Sequence, residues 1–412
     1  MLIVQKYGGT SMGSVERIHN VARRVLRTQA AGHRVVVIVS AMAGETDRLL
    51  RLSHEVSPRA EHRELDVLLA TGEQASASLL AMAVRAQGGK GTSFLGHQIR
   101  VLTDSAFSRA RIQQIDATPL SDALERGELP IVAGFQGVDA GGNITTLGRG
   151  GSDTSAVAVA AAIGADLCEI YTDVEGVFTA DPNICPDARK IPRISYEEML
   201  ELASLGAKVL QIRSVEVASN HGVALAVRSS FSEEEGTMVV AEDAAMEKVV
   251  VTGVSLDKNQ ARLTIRGLPW RAGVQADVFR PLGEAGIVVD MIVQAPPVDG
   301  RTNVSFTVPR TDLPAALERV QRVADENGGS EVLSDDKIAK ISIVGVGMRS
   351  HSGVAQRMFE LLAGEGIDIL MISTSEIKVS CVIPMRYGEL AMRSLHEGFA
   401  LGTGTGTGPS ER

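Results

Sequence analysis

Three short segments of the chain combine glycine with charged or hydroxyl-bearing residues in arrangements suited to phosphate chemistry. The first, Lys6-Tyr7-Gly8-Gly9-Thr10-Ser11, has two adjacent glycines that would let backbone N–H groups approach phosphate oxygens closely. Lys6 would neutralise part of the phosphate charge. The chain has no GxxxxGKS or GxxxxGKT sequence, so this segment is not a Walker A loop. Taken alone, the segment is equally typical of a tight strand-to-helix turn beside an exposed lysine.

The second segment, Gly148-Arg149-Gly150-Gly151-Ser152-Asp153, precedes a run of small residues with helical character. Ser152 or Asp153 could simply cap that helix, which is the usual role of such residues at a helix start. The guanidinium fork of Arg149, however, matches a carboxylate or a phosphate, and a helix N-terminus favours anions. We therefore interpret this segment as an anion-binding site in preference to a cap.

The third segment, Tyr171-Thr172-Asp173-Val174-Glu175-Gly176-Val177, follows a predicted strand, and Asp181 lies four residues beyond it. Open parallel sheets bind their ligands at the carboxyl ends of the strands. Composition alone would instead indicate an ordinary acidic loop. Weaker candidates are isolated polar residues for which a solvated surface position is the default interpretation: Ser40, Thr46, Glu73 and Lys208.

The elements that must position these segments alternate between strand and helix in the first half of the chain. Apolar runs rich in β-branched residues predict strands at 2–7, 35–42, 129–135 and 168–174. Apolar residues at helical spacing predict helices at 14–31, 64–87 and 154–165. Such alternation implies an α/β sandwich built on a mainly parallel sheet.

Beyond a polar, acidic stretch that begins near Ser230, the chain carries an internal repeat. Residues 261–267 resemble 339–345, and residues 273–292 resemble 353–372 with corresponding positions 80 residues apart. Each copy has the order strand, glycine-containing loop, helix, strand. The last residues, 401–412, are low in complexity, and we expect them to be disordered.

The composition argues against several classes of protein. The net charge is −9 and no long basic run occurs, which disfavours nucleic acid or an anionic membrane as a partner. The three cysteines, Cys168, Cys185 and Cys381, have no CxxC spacing, which disfavours a structural zinc site and fits a reducing compartment. The N-terminus lacks the features of a signal peptide, and we expect no apolar run long enough to span a bilayer. The sequence therefore predicts a cytoplasmic protein.

The chain resembles the monofunctional aspartate kinases of the amino-acid kinase family in these segments, which occur in the family's order: KYGGTS, VSAM, TGE, AGFQG, TTLGRGGSD, EIYTDVEGVFTADP and RSSFS. The repeat resembles a pair of ferredoxin-like ACT regulatory modules. Together these resemblances cover nearly the whole chain. They imply an amino-acid kinase domain at 1–240, a first ACT module at 262–335, and a second ACT module formed by 248–261 and 336–400.

The activity that the resemblance implies is transfer of the γ-phosphoryl group of ATP to the side-chain carboxylate of L-aspartate. The product would be 4-phospho-L-aspartate, and in the family this reaction is the first step of lysine, threonine and methionine biosynthesis. Mg²⁺ is expected together with ATP. The alternatives are another kinase of the family, of the glutamate type, and an inactive amino-acid sensor. A sensor would be expected to have lost Lys6, Arg149 or Asp153, and all three are present.

The resemblance also implies a role for each residue of the catalytic motifs. Lys6 would contact the transferring phosphoryl group, Asp153 would organise the site around Lys6, and Arg149 would hold a substrate carboxylate. Glu73 would bind the α-amino group of aspartate. Further contacts to aspartate are expected from Thr46 and Ser152. The contacts around ATP would come from Lys6, Gly8, Gly9, Ser40, Thr172, Asp173, Val177, Asp181 and Lys208.

In the ACT modules the resemblance implies a threonine or lysine effector and a homodimer formed through these modules, with a higher oligomer as the alternative. Some relatives also make a separate regulatory chain, for which Met246 is a candidate start. The expected effector contacts are Gly273, Gln275, Gln294, Val354, Asp368, Ile369 and Ser375.

Several positions depart from the pattern of the family, among them Asp368, where the family often has asparagine. Trp270 stands where the family has an effector-binding carboxylate, and Gln275 replaces an alanine, so we expect inhibition to be weak or altered in specificity. In the nucleotide segment, Phe178 and Asn183 replace a tyrosine and an arginine that are common in the family. These two changes predict weaker contacts to ATP.

Overall fold

The computed structural model describes residues 1–205 and 209–402, whose contacts divide the chain into two compact units. The first unit comprises Met1–Val177, Lys190–Ser204 and 209–246, and the second comprises Phe178–Arg189, Leu205 and 247–402. A kinase domain that runs continuously over 1–240 therefore differs from this division at Phe178–Arg189. Two residues of that segment, Ala180 and Cys185, are buried in an apolar core of the second unit. Lys208 and the tail 403–412 lie outside the described residues.

The first unit is built on an eight-stranded sheet in the order β10-β12-β11-β9-β1-β2-β6-β3, with a smaller sheet in the order β5-β4-β7-β8. All neighbours in the large sheet are parallel except β11 and β12. The strands of the two sheets are β1 Leu2–Tyr7, β2 Arg34–Val39, β3 Gly91–Phe94, β4 Leu102–Thr103, β5 Ile112–Gln114, β6 Leu129–Ala133, β7 Gln136–Val138, β8 Ile144–Thr146, β9 Leu167–Thr172, β10 Arg193–Ser195, β11 Leu225–Ser229 and β12 Thr237–Val240.

In the described part of the first unit, seven α-helices pack around these sheets. They are α1 Val15–Ala30, α2 Glu45–Val56, α3 His62–Ala86, α4 Thr118–Glu125, α5 Gly151–Ala162, α6 Tyr196–Ser204 and α7 Ile212–His221. Helix α1 begins where Ser14 accepts a hydrogen bond from the backbone N–H of Arg17, and the apolar stripe predicted from its sequence is its buried face. The predicted strands and helices of this half are confirmed, with ends that differ by a few residues.

The second unit contains one antiparallel sheet of six strands in the order β14-β15-β13-β16-β18-β17. Its strands are β13 Gly253–Pro269, β14 Ile292–Gln294, β15 Arg301–Pro309, β16 Glu331–Val344, β17 Met371–Thr374 and β18 Lys378–Pro384. Its α-helices are α8 Val274–Glu284, α9 Leu313–Glu326, α10 Val354–Gly364 and α11 Gly388–Gly398. Short 3₁₀ helices lie at Met246–Lys248, Arg310–Asp312, Val346–Ser350 and Met385–Tyr387.

The two copies of the repeat share the long central strands β13 and β16. The first part of β13 pairs with the last part of β16, and both belong to the apolar core that contains α10 and α11. The last part of β13 pairs with β15 and belongs to a second apolar core formed with α8 and α9. Each copy therefore has the strand-helix-strand order predicted from the repeat, and the mainly parallel kinase sheet followed by ferredoxin-like modules is confirmed.

Helix α3 departs from the expectation that no apolar segment is long enough to span a bilayer. By length and composition it could cross a membrane, but 56% of its apolar window is buried inside the protein. The carboxyl groups of Asp66 and Glu73 also lie on its buried face. We therefore regard α3 as a core helix of the first unit.

Candidate active site

Because the central strands of the large sheet are parallel, the glycine-containing segments that follow them lie together at the carboxyl-terminal edge of the sheet. Strands β9, β1, β2 and β6 are consecutive neighbours, and each runs in the same direction. Their carboxyl ends lead into the segment that contains Gly8 and Gly9, the loop 40–44, the turn at Gly134 and Phe135, and the acidic segment that begins at Asp173. Residues from distant parts of the sequence thus meet where ligands of parallel sheets bind.

An ion pair lies at the centre of this edge. Lys6 Nζ is 2.6 Å from Asp153 Oδ1, and both side chains are largely buried. Lys6 is in β1 and Asp153 is in the first turn of α5. Because Asp153 partly neutralises Lys6, the ammonium group can be held at a buried position where it would otherwise be costly to place.

A cavity of about 480 Å³ in the first unit is lined by Ser152, the residue before Asp153, although Lys6 and Asp153 themselves do not line it. It is lined by all four residues predicted to bind the substrate and by two residues predicted to contact ATP, namely Thr46, Glu73, Arg149, Ser152, Gly9 and Ser40. Its volume is in the range of small-molecule sites. The structure therefore brings together residues that were singled out separately in the sequence.

Glu73 reaches the cavity from α3 with one carboxylate oxygen free. Its Oε1 accepts a hydrogen bond from the backbone N–H of Ala41 at 3.0 Å, while its buried Oε2 has no hydrogen-bond partner among the described residues. Burial raises the pKa of Glu73 to about 7, although the Ala41 N–H and the charge of Lys6 act in the opposite direction. An unsatisfied buried carboxylate oxygen is costly unless a cation or donor binds it.

Arg149 supplies the opposite charge to the same cavity. Its side chain is exposed and forms no hydrogen bond or ion pair with any residue within 1–205 or 209–402. Gly148 and Gly150 on either side have φ of 81° and 71°, in the left-handed region. A Cβ on Gly150 would lie 2.3 Å from the Gln211 side chain, so the turn that presents Arg149 requires glycine there.

Two further side chains of the cavity are joined by a hydrogen bond. The hydroxyl groups of Ser40, after β2, and Ser152, at the start of α5, are 2.8 Å apart. A Cβ on Gly134 would lie 2.8 Å from Ser152 Cβ, so the strand end and the helix start are in close contact. Thr46, which also lines the cavity, lies in the first turn of α2, directly after the loop 40–44.

The remaining residues predicted to contact ATP are placed less uniformly. Thr172 ends β9 and donates a hydrogen bond to Asp173 at 3.1 Å. Val177 is buried, its N–H donates to Thr237 Oγ1 at 2.8 Å, and its carbonyl oxygen accepts from Ile191 N–H. Val177 therefore has no free backbone donor. Asp181 belongs to the second unit and Lys208 lies outside the described part of the chain.

The residues predicted to bind an effector all lie in the second unit, but not at one place. Gln275 Nε2 donates to Gln294 Oε1 at 2.9 Å, close to Gly273 at the start of α8. Gln294 ends strand β14, whereas Ser375 follows β17 at the opposite edge of the sheet. The other predicted contacts of the second copy, near α10 and the segment after it, are Val354, Asp368 and Ile369.

Several residues that line the cavity were not predicted as site residues from the sequence, among them Ser108, Phe135 and Thr146. Ser108 and Phe135 have φ of 66° and 69°, a strained conformation for side chains that are not glycine. The segment AGFQG was visible as a motif, but nothing in the sequence around Ser108 marks it.

Comparison with known proteins gives consistent results along the whole chain. Residues 1–229 match the amino acid kinase family, and residues 265–325 and 341–399 each match the ACT domain. An aspartokinase of Pseudomonas aeruginosa is 53% identical over 402 residues, covering 97% of this chain and 98% of that protein.

Two crystal structures of Escherichia coli aspartokinase III are also similar to this chain, each with 25% sequence identity. The complex with aspartate and ADP, in the R-state, has a TM-score of 0.79 and covers 97% of this chain and 100% of that one. The complex with lysine and aspartate, in the T-state, has a TM-score of 0.76 and covers 96% and 99%. The shared motifs, fold and length show that the chain belongs to the aspartokinases, within the amino acid kinase family.

Proposed function

We propose that this chain transfers the γ-phosphoryl group of ATP to the side-chain carboxylate of L-aspartate. The observation that carries the proposal is one cavity lined by Glu73 and Arg149, whose carboxylate oxygen Oε2 and guanidinium have no partner among the described residues. The same cavity is lined by Ser152, which adjoins Asp153 of the ion pair with Lys6. Aspartate offers an ammonium group for Glu73 and a carboxylate for Arg149. Its second carboxylate would then be directed towards Lys6.

The reaction needs alignment and charge more than proton transfer. A carboxylate with an ordinary pKa of about 4 is already ionised at neutral pH, so no general base is required. The attacking carboxylate and the γ-phosphate repel each other by about 4 kcal/mol at ~4 Å in a medium of effective dielectric 20. Lys6 would offset this repulsion as the negative charge shifts between the two groups.

Mg²⁺ would arrive with ATP as part of the nucleotide complex. Within the described residues no group of three or more His, Cys, Asp and Glu side chains is placed to hold a metal ion. Asp153, the acidic group nearest to Lys6, is already engaged in the ion pair. Bound Mg²⁺ would neutralise phosphate charge, held mainly by phosphate oxygens and water.

A substrate panel tests the proposal directly. The purified chain should phosphorylate aspartate, detected as the hydroxamate, and should be inactive on glutamate and acetylglutamate. The variant Arg149→Lys keeps the charge but loses the bidentate fork, so aspartate KM should rise about tenfold while ATP KM stays within about twofold. Activity on glutamate would favour another kinase of the family, and activity on no substrate would favour an amino-acid sensor.

For regulation, we infer that a lysine or threonine effector binds weakly at the first ACT module. The side-chain amide of Gln275 already donates a hydrogen bond to Gln294 Oε1, which would otherwise be available to an effector. Trp270 supplies no negative charge for the ammonium group of an effector. The double variant Trp270→Asp/Gln275→Ala should therefore be inhibited at lower effector concentration than the wild type. Unchanged dose-response curves for lysine and threonine would contradict this inference, provided that aspartate KM without effector is also unchanged.

We also propose that the second unit forms a homodimer. The edge strands β14 and β17 are about 24 Å apart, given five inter-strand spacings, so Gln294 and Ser375 cannot share a ligand within one sheet. Ile292 on β14 and Ile372 on β17 are exposed and apolar, as at an unoccupied sheet edge. Light scattering of Ile292→Lys and Ile372→Lys should show monomers, whereas Leu333→Lys on the inner strand β16 should stay dimeric.

The remaining assignments rest on the resemblance and on the relatives. We propose the division into a kinase domain and two ACT modules, with the exception of Phe178–Arg189, and a cytoplasmic location. A separate regulatory chain that starts at Met246 would appear in the intact-mass spectrum of protein made from the native gene. The absence of that species would remove the possibility.

A further inference from the structure

Helix α3 carries a second buried carboxylate, Asp66, seven residues before Glu73. This spacing is nearly two helical turns, so both side chains lie on one face of α3. Glu73 lines the cavity, whereas Asp66 does not line it and is fully buried. Nothing in the reaction proposed above uses Asp66.

Among the described residues, Asp66 accepts hydrogen bonds from two, Ser108 and Thr146, and both line the cavity. The backbone N–H of Ser108 lies 3.0 and 2.8 Å from the two carboxylate oxygens, and its hydroxyl lies 3.1 Å from Oδ1. The backbone N–H and the hydroxyl of Thr146 donate at 2.7 and 2.8 Å. Within 1–205 and 209–402 no cation lies at ion-pair distance, so these donors alone compensate the burial of the charge.

These two residues determine the path of the backbone to Arg149. Thr146 is three residues before Arg149, at the end of β8. Ser108 is held at a positive φ, and a Cβ on Gly148 would lie 3.1 Å from the Ser108 carbonyl oxygen. Since the Arg149 side chain has no partner of its own among the described residues, its position depends on this backbone.

We propose that Asp66 is a positioning residue. Asp66 holds Ser108 and Thr146 in place so that Arg149 meets a carboxylate of the substrate, aspartate. The proposal rests on the function proposed above. Both oxygens of Asp66 accept N–H donors, so no orientation of an asparagine amide can replace them. In one orientation its NH₂ group faces the Thr146 N–H, and in either orientation it faces the Ser108 N–H.

The test compares Asp66→Asn with Asp139→Asn in the full-length chain. Asp139 is a matched control because it is also buried and accepts backbone N–H groups, from Gly141 and Asn143, but it does not line the cavity. Asp66→Asn should raise aspartate KM about tenfold and leave ATP KM within about twofold, since a small displacement of a positioning group is enough to weaken binding. Asp139→Asn should lower the midpoint of urea unfolding and change neither KM.

A double-mutant cycle with Arg149→Ala separates positioning from general damage. If Asp66 acts through Arg149, then Asp66→Asn should have little further effect on aspartate KM once Arg149 is alanine. Thr146→Val, which removes one hydroxyl donor and keeps the N–H, should give a smaller increase of the same kind. This variant keeps the test available if Asp66→Asn does not fold.

The outcomes distinguish the two proposals. If Arg149→Ala alone leaves aspartate KM unchanged, the proposed role of Arg149 fails, and with it the substrate assignment. If Arg149→Ala raises aspartate KM but the effect of Asp66→Asn multiplies with it, or equals that of Asp139→Asn, then Asp66 is an ordinary buried aspartate and the positioning role is wrong.

Discussion

At the scale of single residues, the cavity depends on polar groups that have no partner in the part of the chain that the structure describes. Glu73 Oε2 and the Arg149 guanidinium are such groups, and they carry opposite charges. Lys6, by contrast, is already paired with Asp153. This difference predicts different kinetic consequences for the three side chains. Glu73 and Arg149 should bind the substrate in the ground state and so affect KM, whereas Lys6 should stabilise charge that develops in the transition state and so affect kcat.

Lys6→Ala should lower kcat by about 10² to 10³ with little change in aspartate KM. The ammonium group is expected to stabilise charge that develops in the transition state, and loss of one such donor typically has this effect. Steady-state kinetics with both substrates checks this expectation. A near-normal kcat would mean that Lys6 only compensates the burial of Asp153.

The raised pKa of Glu73 predicts a pH dependence of substrate affinity. The ammonium group of aspartate should bind the ionised carboxylate, so kcat/KM for aspartate should rise with pH through an apparent pKa near 7 and level off above it. The variant Glu73→Gln should have a lower kcat/KM that is independent of pH between 6 and 8. A wild-type profile that is flat over this range would contradict the assignment of Glu73.

The same group predicts a pH dependence of stability with the opposite sense. The pKa of Glu73 is higher in the folded protein than its ordinary value of 4.5, so the stabilisation by the protonated form is present below pH 4.5 and is lost as pH rises through 7. Urea unfolding should therefore show Glu73→Gln gaining stability relative to wild type between pH 5 and 8. A constant difference would indicate that Glu73 is not buried in solution.

At the scale of elements, the glycines around α5 test how tightly the loop of Arg149 is held. Gly150 precedes α5 and Gly164 follows it, and both have positive φ, but only Gly150 has neighbours where a Cβ would lie. Gly164→Ala should lower the free energy of unfolding by about 1 kcal/mol and leave KM unchanged. Gly150→Ala should have a larger effect on unfolding and also raise aspartate KM. Equal effects of both variants would show that Gln211 moves aside freely.

The elements themselves could be predicted from the sequence because their patterns are local. The β-branched runs of β2 and β9 and the apolar stripe of α1 are sufficient to define them. The short strands β4 and β5 were missed because two or three residues carry no periodic signal. The repeat was recognised because its two copies have apolar residues at corresponding positions. These positions correspond because each copy buries one apolar face in the same way.

The site could be predicted only in part. Lys6 and Arg149 stand in longer glycine-containing motifs, whereas Glu73 was marked by the short segment TGE and by its position in an apolar helical pattern. Asp66 could have been found from the same clue, because it too is a carboxylate in the apolar pattern of α3. Ser108 could not, since its role depends on a hydrogen bond to a residue 42 positions away and on a backbone conformation.

At the scale of the whole molecule, one segment lies between parts of the first unit in the sequence but folds as part of the second unit. Phe178–Arg189 belongs to the second unit, where Thr179 Oγ1 is 2.9 Å from His396 Nε2 and a bridge joins Ala188 to Gly402. A chain that ends at Met246 therefore contains this segment but lacks the residues of the second unit that bury it.

A chain that ends at Met246 should bind the dye ANS and be cleaved by trypsin after Arg189, the last residue of the segment. Its ATP KM should rise more than its aspartate KM, because the cavity of Glu73 and Arg149 lies wholly in the first unit. A chain that ends at Gly402 keeps every described residue and serves as the control. Equal protease resistance of the two chains would show that the segment folds without the second unit.

The placement of Phe178–Arg189 also affects the order of events during synthesis. Thr179 leaves the ribosome 217 residues before His396, its partner in the folded protein. At about 5–20 residues per second, the segment waits about 10–40 s before α11 is complete. During that interval Ala180 and Cys185 would lack the apolar core in which both are buried in the folded protein. A nascent chain of this length is therefore the species on which we expect a ribosome-associated chaperone to act.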